Sequence, residues 1–123
     1  MSYPKIINLV QKLHEATRDG SVLWRETEAD DVFQVSFSQY SARIAKRLSR
    51  MDRTSDEYVL SIHNDEGDLV EEIGDEDGED ARQKGMLFNA LKETHETARR
   101  QSMGVDQALD SILDELRTGG LPF

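Results

Sequence analysis

The chain has 123 residues, 25 of them acidic and 15 basic, for a formal charge of -10, with 37% hydrophobic residues, 33% charged residues and no cysteine. That length fits one domain burying about two-thirds of its extended-chain surface on folding, and the composition is polar for a globular protein without being that of a disordered one. It excludes a disulfide framework, a thiolate nucleophile and a thiolate metal site, and no apolar run approaches the ~18 residues that span a bilayer.

Net acidity argues against nucleic acid and anionic membranes as partners, since both require positive charge, and it suits a basic protein partner. Without cysteine a reduced cytoplasm is the expected location, and Pro4 with the polar positions around it interrupts any secretory leader. The charge is unevenly placed. Ten acids fall between Asp65 and Asp80, while Arg43, Lys46, Arg47, Arg50 and Arg53 cluster ahead of them.

In chain order, Pro4 followed by Ile6, Leu9, Val10, Leu13 and Ala16 at three-to-four spacing, with Gly20 as the stop, predicts an amphipathic helix. Val22-Leu23-Trp24 is expected to begin a strand, with Trp24 packed on that helix, and Glu28 to Asp31 make a polar turn. Phe33, Val35 and Phe37 alternate with Gln34 and Ser36, the period of a half-buried strand. A tight connection at Ser38-Gln39 sets Phe37 opposite Tyr40. The inward set then continues through Ala42, Ile44 and Leu48, and Ser41, Arg43, Ala45 and Arg47 face outward. Phe37→Asp is therefore expected to unfold the domain.

Asp52 to Glu57 form a polar loop leading into YVLSIHNDEGDLVEEI (Tyr58 to Ile73), two strand-forming arms around Asn64-Asp65-Glu66-Gly67. Asn at the head of a type I turn and Gly at the position that takes positive φ make this a hairpin. Two registers fit. If Gly67 is a bulge and Asn64 pairs with Asp68, Ile62 lies beside Val70 while His63, Leu69, Val59 and Ile73 share the other face. If the loop is one step tighter, Ile62 meets Leu69 and Tyr58 meets Ile73, and every side chain changes face. The bulged register is preferred, which leaves Val59, Leu69 and Ile73 on the outer face.

GDEDGED (residues 74–80) reads as an exposed acidic loop leading into a helix, its carboxylates favourable near the helix N-terminus. Met86, Leu87, Leu91, Thr94, His95 and Ala98 mark one long stripe to about Met103, and Gly104-Val105-Asp106 interrupts it. Leu109, Ile112, Leu113 and Leu116 mark a second, stopped by Gly119-Gly120 before the apolar tail Leu121-Pro122-Phe123. The fold expected is one α+β domain: an N-terminal helix, a four-to-five-stranded antiparallel meander, and C-terminal helices packed on one face. Every connection is too short for a parallel crossover. Phe33, Val35, Phe37, Tyr40, Ala42, Ile44, Leu60 and Ile62 would be covered by the three helical stripes.

HEATRDGSVLW (His14 to Trp24), FQVSFSQYSARI (Phe33 to Ile44), the hairpin and VDQALDSILDEL (Val105 to Leu116) together resemble a group of small uncharacterised bacterial proteins. The likeness covers most of the chain and implies a single compact α+β domain. It carries no activity with it.

No constellation of residues amounts to chemistry. His14-Glu15 and His95-Glu96 open like the zinc-protease motif HExxH, but Arg18 and Arg99 stand where the second histidine must be. His95, on an apolar stripe, is expected to be a hydrogen-bonded core-edge residue. Asp75, Asp77 and Asp80 lack EF-hand spacing, and a solvated charge run is the better reading. No serine stands in a nucleophile elbow and no glycine pattern precedes a helix in a βα unit. His63 beside Asp65 and Asp68 is the one histidine-carboxylate group near a turn. The basic strand is expected to pair with the chain's own acids, and stacking on nucleic acid is disfavoured because Phe33, Phe37 and Tyr40 point away from it.

No catalytic residue, cofactor or metal ligand is therefore assigned. The candidate partner surface is Arg43, Lys46, Arg47, Val59, His63, Leu69 and Ile73. The leading functional reading is a non-enzymatic protein–protein interaction module acting through its sheet face or helical tail, as a homodimer or with another protein. An acidic inhibitor or immunity-type protein covering a basic surface is the alternative, and a small metal-dependent hydrolase using the acidic stretch with His63 is the second.

Overall fold

The computed structural model describes residues 3–49 and 54–117. Arg50 and Arg53 of the basic cluster, the Gly119-Gly120 stop and the Leu121-Pro122-Phe123 tail lie outside the described residues. The elements are α1 (Tyr3–Arg18), β1 (Arg25–Glu26), β2 (Val32–Ser36), β3 (Tyr40–Leu48), β4 (Asp56–Asn64), β5 (Leu69–Gly74), a one-turn 3-10 helix (Asp75–Asp77), α2 (Ala81–Ser102) and α3 (Val105–Arg117). The five strands form one antiparallel sheet in the order β1-β2-β3-β4-β5. This is the α+β meander that the short connections imply.

The first helix buries Ile6, Val10, Leu13 and Thr17. It stops at Gly20, whose φ of 81° is one that a glycine adopts without strain. Trp24 packs on α1 as expected, its indole Nε1 donating to Thr17 Oγ1 at 3.0 Å. The strand begins only after it, at Arg25. α2 starts on an Asp80 cap whose Oδ1 accepts from Gln83 N at 2.8 Å. It crosses all five strands and buries Leu87, Ala90, Leu91, Thr94, His95 and Ala98 against them. α1 lies along α2 and sends its apolar stripe into the same core.

The covered face of the sheet consists of Phe33, Val35, Ala42, Ile44, Leu60 and Ile73, with Ile62 partly buried beside them. Phe37 and Tyr40 do not belong to it: they are 51% and 50% exposed. The alternation that points them inward is real, but they form the tip of the β2-β3 hairpin, closed by Phe37 N–H to Tyr40 O at 2.8 Å. That tip runs past the helix layer. Leu48, at the opposite end of β3, is exposed for the same reason.

The β4-β5 hairpin keeps the bulged turn, with Gly67 at φ 86° and Asn64 N–H bonded to Asp68 O at 3.0 Å. His63 faces Leu69, as that register requires, but the next pair is Ile62 with Glu71. Val70 is thus a second bulge, and beyond it every β5 side chain changes face. Ile73 consequently pairs with Leu60 in the core instead of lying outside.

The last stripe departs most from expectation. α3 has no buried residue, and Leu109, Ile112, Leu113 and Leu116 are 48 to 58% exposed. Two helical stripes cover the sheet, and the third is attached through α2 by a turn at Gly104, φ 64°. Among the described residues no helix is long and apolar enough to cross a membrane.

Candidate functional site

Cross-strand pairing puts Arg43, Ala45 and Arg47 of β3, Glu57, Val59, Ser61 and His63 of β4, and Leu69 and Glu72 of β5 on the uncovered face. Lys46 is not among them. It pairs with Tyr58, whose ring meets Phe88 and His95 of α2, so it emerges at the edge of the helix-covered side and reaches Asp56 at 3.7 Å.

The remaining bases are engaged by the chain's own polar groups. Arg47 places Nε 3.2 Å from Glu57 Oε1 and Nη2 2.9 Å from Glu72 Oε1. Arg43 donates Nε to Gln34 Oε1 at 2.8 Å and comes within 3.5 Å of Glu28. Glu57 is buried although it stands on the outer face, its carboxylate lying over Gly74, where a Cβ would meet Oε2 at 2.6 Å. Burial pushes its carboxyl up, against the pull of the Arg47 hydrogen bond and charge. Val59, between Ala45 and Gly74 and beside that carboxylate, is buried with it. Of the three apolar residues expected outside, only Leu69 is exposed.

His63 is half-buried, its Nδ1 3.4 Å from Gly67 O and its Nε2 3.1 Å from Ser61 Oγ. A carbonyl can only accept, so this contact calls for a proton on Nδ1. The ring borders an open hollow of about 490 Å³ between the hairpin tips, shared with Phe37, Tyr40, Arg43 and Glu28. Those two aromatics share this hollow with Arg43.

The acidic run is not gathered around His63. Asp75 accepts from Tyr58 N at 2.8 Å, Asp77 from Gly74 N at 2.8 Å and Asp80 from Gln83 N at 2.8 Å, so each carboxylate serves a backbone end. Glu76 bonds to Ser49 Oγ. Gly74 and Gly78 are buried, Asp75 and Glu76 half-buried, and Asp77, Glu79 and Asp80 exposed. The run is a built turn more than a free loop. Tyr58 and His63 stand at opposite ends of β4, roughly 16 Å apart at about 3.3 Å per residue.

His95 is buried among Phe33 and Tyr58, ring centroids 5.3 and 5.5 Å away, and Nε2 bonds Asp31 O at 2.9 Å. It is hydrogen-bonded as its stripe implied, and lies fully inside the core instead of at its edge. His14 reaches Glu93 at 3.4 Å and Arg18 at 3.5 Å.

Two surfaces stand out away from the outer sheet face. One is the apolar stripe of α3, expected in the sequence either to cover the sheet or to serve as a contact and here left exposed, whose polar flanks carry Asp106, Asp110, Asp114 and Glu115 against Arg117 alone. The other is an apolar hollow of about 540 Å³ between α1 and the sheet, floored by Ile6, Leu9 and Ile62 and bordered by Lys5, Lys12 and Glu71. The signal for the first lay in the glycine at 104, which ends α2 without obliging α3 to fold back. No protein-family model, no curated protein and no solved structure matches the chain.

Proposed function

We propose that the protein is a small non-enzymatic interaction module, cytoplasmic and of the bacterial type its motifs resemble, which presents α3 to a protein partner. The single observation behind this reading is the stripe Leu109, Ile112, Leu113 and Leu116, left in water on a helix with no buried residue. Contiguous apolar surface of this kind usually marks a contact. At 3.6 residues per turn, Asp106 and Asp110, with Arg117 between them, border one side of the stripe and Glu115 the other. Such a helix fits an apolar groove with a basic rim, entered by its i, i+3, i+4 and i+7 side chains.

The test is a comparison of the full chain with its Leu113→Asp variant, each immobilised and exposed to extract from the source cell. A partner held by the first and lost by the second is the expected result, weakened at about 0.5 M salt, where screening acts within roughly 4 Å. Identical bound sets from the two proteins would overturn the reading. Leu113 is exposed, so the substitution leaves the fold intact.

A further inference from the structure

We propose that the partner of α3 is a second copy of the chain, and that each copy's α3 seats in the apolar hollow between α1 and the sheet of the other. This rests on the reading of α3 as the contact element and deepens it by naming the occupant.

The two surfaces match in chemistry. The hollow is floored by Ile6 and Leu9 of α1 with Ile62 of β4, and the stripe to be buried is Leu109, Ile112, Leu113 and Leu116. They also match in charge. Lys5 and Lys12 stand at the border of the hollow, exposed, and neither has an ion pair among the described residues. Glu71 is the one acid there, and its Oε1 accepts from Glu72 N at 3.0 Å. The helix brings acids on both flanks, so two bases meet the side of α3 that carries Asp110 or the side that carries Glu115.

They match in length as well. Lys5 to Lys12 and Leu109 to Leu116 are both intervals of seven residues, two helical turns or about 10 Å, so one pair of turns lies along the other. A stripe paired with its own counterpart would instead bring Asp110 and Glu115 of two copies together, like against like. Each chain holds one helix and one hollow. Reciprocal seating therefore closes as a two-fold dimer and leaves neither surface open for a chain of copies.

Gly104 permits the geometry. Its φ of 64° turns the backbone between α2 and α3 at a residue with no side chain to resist, and a Cβ there would find only Gln107 Oε1, at 3.8 Å. α3 touches its own chain chiefly through α2, together with the Arg100–Asp106 pair at 3.0 Å, and its first turn borders the end of α1. It can swing outward without opening the core.

Light scattering on the full chain over a concentration series tests this, with circular dichroism confirming that each variant is folded. The wild type is expected to be a dimer. Leu113→Asp, and separately the pair Lys5→Glu and Lys12→Glu, should each raise its dissociation constant about tenfold or more, the scale on which charge pairs at interfaces act. Adding Asp110→Lys and Glu115→Lys to the double Lys→Glu chain should restore the dimer. A wild type that stays monomeric at about millimolar concentration would sink the inference, whether or not the Lys→Glu pair lowers its melting temperature by exposing an α3 seated on its own chain. A dimer broken by Leu113→Asp but indifferent to the Lys→Glu pair would also sink it, pointing to α3 against α3. The reading of α3 as a contact element survives both of these and falls only on its own comparison, when Leu113→Asp costs no partner.

Discussion

His95 donates its Nε2 proton to the carbonyl oxygen of Asp31 at 2.9 Å, and the same oxygen accepts from Lys46 N at 3.3 Å. Asp31 holds a φ of 59°, the one positive value among the described non-glycine residues. The turn before β2 thus aims its carbonyl at both a strand amide and a helix side chain. Left-handed backbone at Asp is tolerated but not free, and two accepted hydrogen bonds offset it. His95 is the pin joining α2 to the β1-β2 turn.

That pin titrates. Burial, only partly opposed by the Asp31 hydrogen bond, lowers the His95 pKa below its ordinary 6.5. In the interval between the folded and unfolded values the unfolded chain binds the extra proton, so stability is full above about 6.5 and is lost as pH falls below it. Glu57 and Asp75 act in the opposite sense, because burial raises both carboxyls and their protonation on acidification favours the folded state. Comparison with His95→Gln isolates the histidine. Between pH 7.5 and 5.5 the wild type should lose more stability, or gain less, than the variant, read from urea midpoints, and the variant should lose about 1–2 kcal/mol at pH 7.5. Equal pH slopes in the two proteins would refute the assignment.

The Trp24 indole depends on one hydroxyl. Thr17 Oγ1 donates to Leu13 O at 2.7 Å and accepts from Trp24 Nε1 at 3.0 Å, both residues being buried. Thr17→Val keeps the shape and removes the acceptor, leaving a buried N–H unpaired at about 1–3 kcal/mol. Thermal melts should show Thr17→Ser falling by less than Thr17→Val, although serine leaves a methyl-sized gap. The reverse order would mean that packing, not the hydrogen bond, holds Trp24.

Phe37 and Ile44 separate alternation from burial. Ile44→Asp puts a carboxylate at a position with no exposure and should abolish the cooperative melt. Phe37→Asp, at the uncovered hairpin tip, should keep it and cost less than about 1 kcal/mol. This reverses the expectation drawn from the alternating pattern alone, and an unfolded Phe37→Asp protein would show that the tip is covered after all.

Gly78 and Gly67 exclude a side chain for different reasons. At Gly78 the backbone is ordinary, φ -61°, but a Cβ would fall 2.5 Å from Lys84 N on the first turn of α2. At Gly67 there is open space, but φ is 86°. Gly78→Ala should therefore cost about 2–3 kcal/mol, since helix backbone must move, and Gly67→Ala about 1 kcal/mol. Chemical denaturation of the two variants compares them directly.

What was legible in the sequence was whatever local chemistry decides. Asn64 and Gly67 announce their turn, the acidic run before residue 81 announces a helix start, and the stripe from Leu87 to Ala98 reads as core because only one face of that helix is apolar. What was not legible depends on how far one element extends over another. Phe37 and Ala42 follow the same alternation, yet only Ala42 lies under the helices. The bulge at Val70 carries no glycine or proline to mark it, and it alone moves Ile73 from the outer face to the core. Lys46 was grouped with Arg43 and Arg47 by charge, although its odd spacing from both sets it on the other side. The stripe of α3 has the pattern of a core helix. Periodicity shows that a face wants burying, not which molecule buries it.

Thirteen residues is about the length at which a lone helix in water is marginal, and α3 has no buried residue to add to its intrinsic propensity. Its helicity is thus coupled to docking, and ordering the segment lowers the affinity that the bare contact would give. In the free chain its amide protons should exchange nearly as fast as those of a peptide, while those of α2 wait for global opening. Protection in α3 then becomes a direct gauge of occupancy, rising with protein concentration when a second copy seats the helix.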